Sequence, residues 1–271
     1  MKKSGDIILS GKIYRYMGMD LLTDDLLENS PKHIVMHSGG ADSTLILLGL
    51  CELKKKGILK GDIQVVHCVG LCTKGKDLAE ERALKKITKY IKSEFDIDLQ
   101  KIKIEVSNYY DKDEVDVEIG YILQYIYLIN AYHLFSNNSC VYMGSIGDDP
   151  SEIKLPYIKN ILDNLSQIRS NSVHLITPLF NIDKEYILEN FLVNYPEVMN
   201  MVVTCEFPKI GKNNHVYPCN TCFKCMETKQ ALSNIINRKI IEKATIKDMI
   251  KLAKTRIDDA KKEVVKDTLE V

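Results

Sequence analysis

Residues 33–50, HIVMHSGGADSTLILLGL, join a short apolar run to a longer one through Ser38-Gly39-Gly40. The first run has strand character, and the second, from Ala41, has the apolarity of a buried helix. A strand that passes into a helix through two glycines suits a parallel sheet whose ligands sit at the carboxyl ends of the strands. The rest of the chain agrees. DIQVVHCVGL, KIKIEVSN, CVYMGSIG and VHLITPLF read as further strands. Helical stretches separate them: ADSTLILLGLCELKKKG closed by Gly57, KDLAEERALKKITKYIKSEF, an apolar helix from about Ile119 to Phe135, EIKLPYIKNILDNLSQI with one internal proline, and a helix after Asp183. Strands alternating with helices of this length predict an α/β sheet covered on both faces.

The glycine turn is also where chemistry is expected. Two glycines allow positive φ and let the backbone approach a ligand, while the open N–H groups of the first helical turn favour an anion such as phosphate. No Lys follows the glycines as in G-x-x-x-x-G-K-[ST], and the spacing is not that of G-x-G-x-x-G or of the G-x-S-x-G nucleophile elbow. The alternative is a plain capped turn, with Ser38 or Asp42 bonded only to backbone N–H groups.

Four of the eight cysteines, Cys51, Cys68, Cys72 and Cys140, are scattered. The other four lie in TCEFPKIGKNNHVYPCNTCFKCMETKQAL, where Cys205 precedes Cys219, Cys222 and Cys225 at C-x-x-C-x-x-C spacing. Two intervening residues let successive thiolates turn toward one cation, and four thiolates close a tetrahedral, structural site. Zinc is the expected ion. An iron–sulfur cluster is the rival, although no Cys-Pro follows at the ferredoxin position, and His215 is an alternative fourth ligand to Cys205. Clustered cysteines suggest metal rather than disulfides and fit a cytoplasmic protein. The only apolar run near the N-terminus, Ile7 to Leu9, is too short for a signal-peptide core, and no run is long enough to span a bilayer. The 37 basic residues are matched by 37 acidic ones, so no overall field draws the chain to a membrane surface or a nucleic acid.

SGGADST resembles the S-G-G-x-D-S signature of the PP-loop ATP pyrophosphatases. Together with the cysteine knuckle and the order of VYMGSIGDDP, HLITPLFNIDKEYIL and VVTC, the chain from about His33 to Leu232 resembles the 7-cyano-7-deazaguanine synthase (QueC) family. The resemblance implies a doubly wound, mostly parallel α/β sheet of the PP-loop, adenine nucleotide alpha hydrolase-like type, with a small C-terminal zinc knuckle and a helical tail. It implies ATP, Mg2+ and Zn2+ as cofactors. Ser38, Gly39, Gly40, Ala41, Asp42, Ser43 and Thr44 would hold the nucleotide, with Asp42 on the magnesium and Asp42 and Ser43 in the catalytic role. The implied reaction is that of a C–N ligase, converting a deazaguanine acid and ammonia to a nitrile with release of AMP and pyrophosphate.

The chain departs from the family at two places. VDVEIGYILQY stands where a P-G-R-N-like turn is usual, and LCTKGKDLAEE where an Arg-His pair is usual. These positions shape the family's substrate pocket, which leaves Lys74, Lys76, Gly144 and Asp148 as substrate candidates. Asp149-Pro150-Ser151-Glu152 has the form of a helix start. Three alternatives stand beside the nitrile reaction: a QueC-like enzyme with another acceptor, such as a protein or nucleic-acid amine, in phage biology or defence; a PP-loop tRNA thiolase, against which the neutral charge balance counts; and an ATP-binding module without catalysis. The expected divisions are 1–32 as an N-terminal extension, 33–200 as the ATP-binding domain, 201–238 as the knuckle and 239–271 as a charged helical tail. In that tail Ile246, Ile250, Ala253, Ile257, Ala260 and Val264 form an a/d seam, read as a surface helix on its own domain or as a dimerising coiled coil, and a homodimer is the expected assembly.

Overall fold

The computed structural model describes residues 7–10, 13–23, 26, 30–69, 73–105, 139–144, 155–169 and 173–237. Its centre is a five-stranded sheet of β4 (Lys32–Met36), β5 (Asp62–Val69), β6 (Gln100–Glu105), β7 (Ser139–Tyr142) and β8 (Val173–Ile176), in the order β6-β5-β4-β7-β8. Every pairing in it is parallel. The first apolar run of the opening segment is therefore its central strand, and seven of the eight residues of β5 are buried beside it. The chain steps outward from β4 through β5 to β6 and then returns to β4's other side as β7, so the direction of winding reverses between β4 and β7. In such sheets the crevice at the carboxyl ends on either side of that reversal is the ligand site.

The helices fall where the apolar spacing places them. α1 (Ala41–Lys55) is buried on most of its surface, and after Lys56 the N–H groups of Gly57 and Ile58 return to the carbonyls of Lys54 and Leu53, a Schellman end. α2 (Lys74–Phe95) starts at Thr73, whose side chain accepts from the Lys76 N–H, and ends at Asp96 in left-handed conformation. α3 (Leu155–Arg169) begins just before Pro156, so the proline expected inside that helix sits in its first turn, where no hydrogen bond is lost. α4 (Lys184–Asn194) is capped by Asp183, and the short α5 (Pro196–Met199) follows it directly. α6 (Phe223–Asn237) leaves the cysteine knuckle, itself built on the two-residue strands β9 (Lys209–Ile210) and β10 (Val216–Tyr217). Among the described residues, no helix is long and apolar enough to cross a membrane. The predicted helix from Ile119 to Phe135, Asp148, Asp149 and the a/d seam of the tail lie outside the described residues.

The N-terminal segment, whose structure the sequence leaves open, forms an antiparallel meander of β1 (Ile7–Ser10), β2 (Ile13–Tyr16) and β3 (Met19–Thr23). Met17 and Gly18, both at positive φ, make the two-residue turn between β2 and β3. The meander rests on α1. Tyr16, Met19 and Leu21 are fully buried there, and the point of contact is Gly49, where a Cβ would come within 2.7 Å of Leu21 Cδ1 and 2.9 Å of Tyr16 Cδ1. A buried hydrogen-bonded line from Tyr16 to Tyr195 and on to Glu52 at 3.1 Å ties the meander to the end of α4 and to α1. Replacing Gly49 with Leu overfills this seam and should lower stability by about 1–3 kcal/mol in urea or thermal unfolding; an unchanged unfolding midpoint would show that the meander does not pack there.

Candidate functional site

The turn at the end of β4 is held from within by a histidine. The Gly39 N–H donates to His37 Nδ1 at 2.8 Å, so that nitrogen is an acceptor and the ring proton sits on Nε2. Nε2 then donates to Thr44 Oγ1 at 3.2 Å, and the threonine hydroxyl donates to the Gly40 carbonyl at 2.6 Å. His67 Nδ1 donates to the His37 carbonyl at 3.0 Å. His37 and Thr44 are both buried. Thr44, expected to face a phosphate, instead turns inward and braces the loop, and the Gly39 N–H is likewise committed to the protein. Gly39 stands at φ +74°, and a Cβ there would meet Ala83 Cβ at 3.0 Å and the Glu80 carbonyl at 3.1 Å, so only glycine lets α2 pack against the turn.

The ligand-facing side is formed by the next residues. Gly40 is the N-cap of α1 in extended conformation, and among the described residues no side chain caps the helix. Among the described residues neither Ser38 nor Asp42 bonds to the first N–H groups of α1, and such open groups suit water or an anion. Ala41 and Ser43 are buried, with Ser43 Oγ 3.4 Å from the Gly40 carbonyl, while Ser38 is half-buried. Gly144, just past β7, closes the other side of the crevice. A Cβ on it would lie 2.9 Å from the Ser43 nitrogen and 3.1 Å from Asp42 Cβ.

Asp42 points to a residue absent from the expected site. Lys184 Nζ lies 2.6 Å from Asp42 Oδ1 and 2.9 Å from Oδ2, and the lysine side chain is only 8% exposed. Lys184 is the first residue of α4, where the helix dipole disfavours a cation. A buried lysine there needs a strong partner, and Asp42, in the first turn of α1, supplies it. The signal in the sequence is that reversed placement, a lysine directly after an aspartate N-cap.

The substrate candidates separate. Lys76 is ion-paired with Glu206 and lies 4.0 Å from the buried Glu80, whose carboxyl is pushed up to about 8 by burial against the opposing effect of Lys76. It fastens α2 to the knuckle. Exposed Lys74 instead lines a cleft of about 600 Å³ with Val69, Asp77, Leu78, Glu81 and Lys103 at the ends of β5 and β6. A second cleft, about 530 Å³, lies between the meander and the segment after β8, lined by Arg15, Gly18, Asp20, Thr177, Pro178 and Asn181.

The cysteines converge: the sulfurs of Cys205, Cys219, Cys222 and Cys225 all lie within 4.8 Å of one another, and those of Cys205 and Cys222 are 4.0 Å apart. Asn220 at φ +62° turns the first C-x-x-C. The N–H of Cys219 donates to Cys205 Sγ at 3.1 Å and that of Cys222 to Cys219 Sγ at 3.3 Å. Burial raises the Cys219 thiol, but N–H donors led by Thr221 and Cys222 outweigh it and bring it to about 6. Burial raises Cys205 and Cys225. A metal–sulfur bond of about 2.3 Å requires sulfurs about 3.8 Å apart around a single tetrahedral ion. The cluster is nearly that size, whereas a cubane spreads its thiolates over four irons. The residues thus fit one closed, four-thiolate ion. His215 stands outside the group and stacks on Tyr217. Cys222→Ser should lose the ion and lower the melting temperature; unchanged metal content by elemental analysis would refute the site.

Burial also sets a pH dependence. His33 is lowered to about 4 and His37 to about 3, chiefly by burial. Both are neutral in the fold, while in the unfolded chain they bind protons below about 6.5. Their contribution to stability is complete above about pH 6.5 and is lost as the pH falls toward 4 and 3, because only the unfolded chain takes up protons in that window. Thermal melts between pH 7 and pH 4 should show the decline, and His33→Gln should flatten it.

No family model matches the chain, and no curated protein matches it. Among solved structures, the U34-tRNA thiolase NcsA from Methanococcus maripaludis, with its 4Fe-4S cluster, is similar over 84% of this chain and 73% of its own at 16% identity and a TM-score of 0.45. NAD+ synthetase from Burkholderia pseudomallei is similar over 87% of this chain and 93% of its own at 10% identity and a TM-score of 0.28. Both are distant likenesses of this chain.

Proposed function

We propose that the protein is an ATP-dependent adenylating enzyme of the PP-loop type that activates a carboxylate for amide or nitrile formation. The observation that carries this reading is the uncapped start of α1 at the winding reversal, with Asp42 and the buried Lys184 side by side at its first turn. Open N–H groups and a lysine suit a polyphosphate, and a carboxylate beside them suits the Mg2+ that accompanies it. The acid's oxygen attacks the α-phosphorus, the bond to the β-phosphate breaks, and pyrophosphate leaves. Lys184 and the α1 N-terminus would neutralise the charge that collects on that leaving group. An amine then displaces AMP from the acyl carbon. The chain's part is to position and neutralise, so no protein nucleophile is required.

On the resemblance in the loop and knuckle, the substrates are 7-carboxy-7-deazaguanine and ammonia. The amide formed first is adenylated on oxygen by a second ATP, with pyrophosphate leaving, and then loses AMP and both N–H protons to give the nitrile. A second reading, a protein or nucleic-acid amine as acceptor, is favoured by the cleft between the meander and the segment after β8, since the meander lies outside the resemblance. For the knuckle we propose Zn2+, held by four thiolates with no open position and so structural.

With ATP, Mg2+, the deazaguanine acid and ammonia, AMP and a product of nitrile mass are expected by chromatography and mass spectrometry. AMP without nitrile would favour the other acceptor. Asp42→Ala should abolish AMP release in a folded protein, and Lys184→Ala should lower it by about 10²–10³-fold, the range for removing one charge-stabilising group. Full activity in Asp42→Ala would overturn the assignment.

A further inference from the structure

The cysteine centre and the phosphate loop are joined by six residues. Segment 201–206 leaves α5 and runs along the turn after β4 to its first cysteine. Two residues before Cys205, the Val203 N–H donates to the Gly39 carbonyl at 2.9 Å. The Val203 carbonyl lies 3.5 Å from where a Cβ on Gly40 would stand. One residue after Cys205, Glu206 is ion-paired with Lys76 in the first turn of α2, next to Glu80. The Glu80 backbone is what packs on Gly39. Val203 and Glu206, on either side of this buried cysteine, therefore lead to the same glycine, one directly and one through α2.

We propose that segment 201–206 is a strap through which the cysteine centre sets the geometry of the phosphate loop, with Val203 as its positioning residue. The proposal rests on reading the loop as an ATP site. His37 holds the Gly39 N–H, and Val203 holds the Gly39 carbonyl. Because the peptide is planar, fixing that carbonyl also fixes the Gly40 N–H on the opposite edge, the donor next in line before α1. The strap's own place is set at Cys205. With a metal bound, the thiolates of Cys205, Cys219, Cys222 and Cys225 close the loop from 205 to 225; without it, the chain entropy of that loop opposes closure. Metal occupancy thus governs nucleotide affinity although no thiolate need touch the nucleotide.

The test is calorimetric binding of α,β-methylene-ATP with Mg2+ to the metal-loaded protein, to the chelator-stripped protein, and to loaded Val203→Pro, Val203→Ala and Glu206→Gln. Val203→Pro deletes the one N–H and should weaken binding by roughly tenfold, the worth of a strong backbone hydrogen bond, with metal content unchanged. Val203→Ala keeps the N–H and should weaken binding less than Val203→Pro. Stripping the metal should weaken binding at least as much, and Val203→Pro should then add nothing further. Amide exchange at Gly39 and Gly40 should quicken on stripping while far-UV circular dichroism is retained. Should Val203→Pro lose its metal, Glu206→Gln is read in its place, with a loss of about threefold expected. Equal affinity in the loaded and the stripped but folded protein, or unweakened binding by loaded Val203→Pro, would overturn the strap and leave the ATP site standing. No binding by the loaded wild type would overturn the ATP reading and the strap with it.

Discussion

The site depends on how one residue is held. Gly39 has its N–H taken by His37 and its carbonyl taken by Val203, and α2 occupies the space where its side chain would be. A loop that offers backbone N–H groups to an anion must not collapse onto itself to satisfy them. Here the collapse is blocked by committing the groups on one side of the loop to buried protein partners. The donors at the start of α1 remain for a ligand. His37 can play this part because burial keeps its ring neutral, with one nitrogen accepting and the other donating.

The second constraint is electrostatic. Lys184 is buried beside Asp42, and a buried ion pair gains little over an apolar pair once desolvation is counted. Its value lies in position. It puts a cation beside the first turn of α1, from an element 142 residues further along the chain.

Two clefts open near the carboxyl ends of the strands, and they differ in origin. The cleft after β5 and β6 is lined by α2 and the knuckle, both inside the family resemblance. The cleft after β8 owes one wall to the N-terminal meander, outside it. The shape of the cleft after β8 therefore depends on the meander, whose seat on α1 is made by the absence of a side chain at Gly49.

The sequence by itself determined the central sheet, the described helices that follow its strands, the glycine turn at the end of β4 and the gathering of four cysteines. These are local signals: apolar periodicity, paired glycines, and C-x-x-C spacing all act over a few residues. The meander was not legible because its strands are four or five residues long and its Met17-Gly18 turn is a weak hairpin signal. Lys76 read as a ligand for substrate, and only the folded chain shows it spent on Glu206. Thr44 read as a phosphate contact until the helix turned it toward His37. The pairing of Asp42 with Lys184, 142 residues apart, and the strap from Val203 to Gly39 were decided by tertiary structure alone. Contacts at such separation depend on how the sheet winds, and winding leaves no mark in the spacing of neighbouring residues.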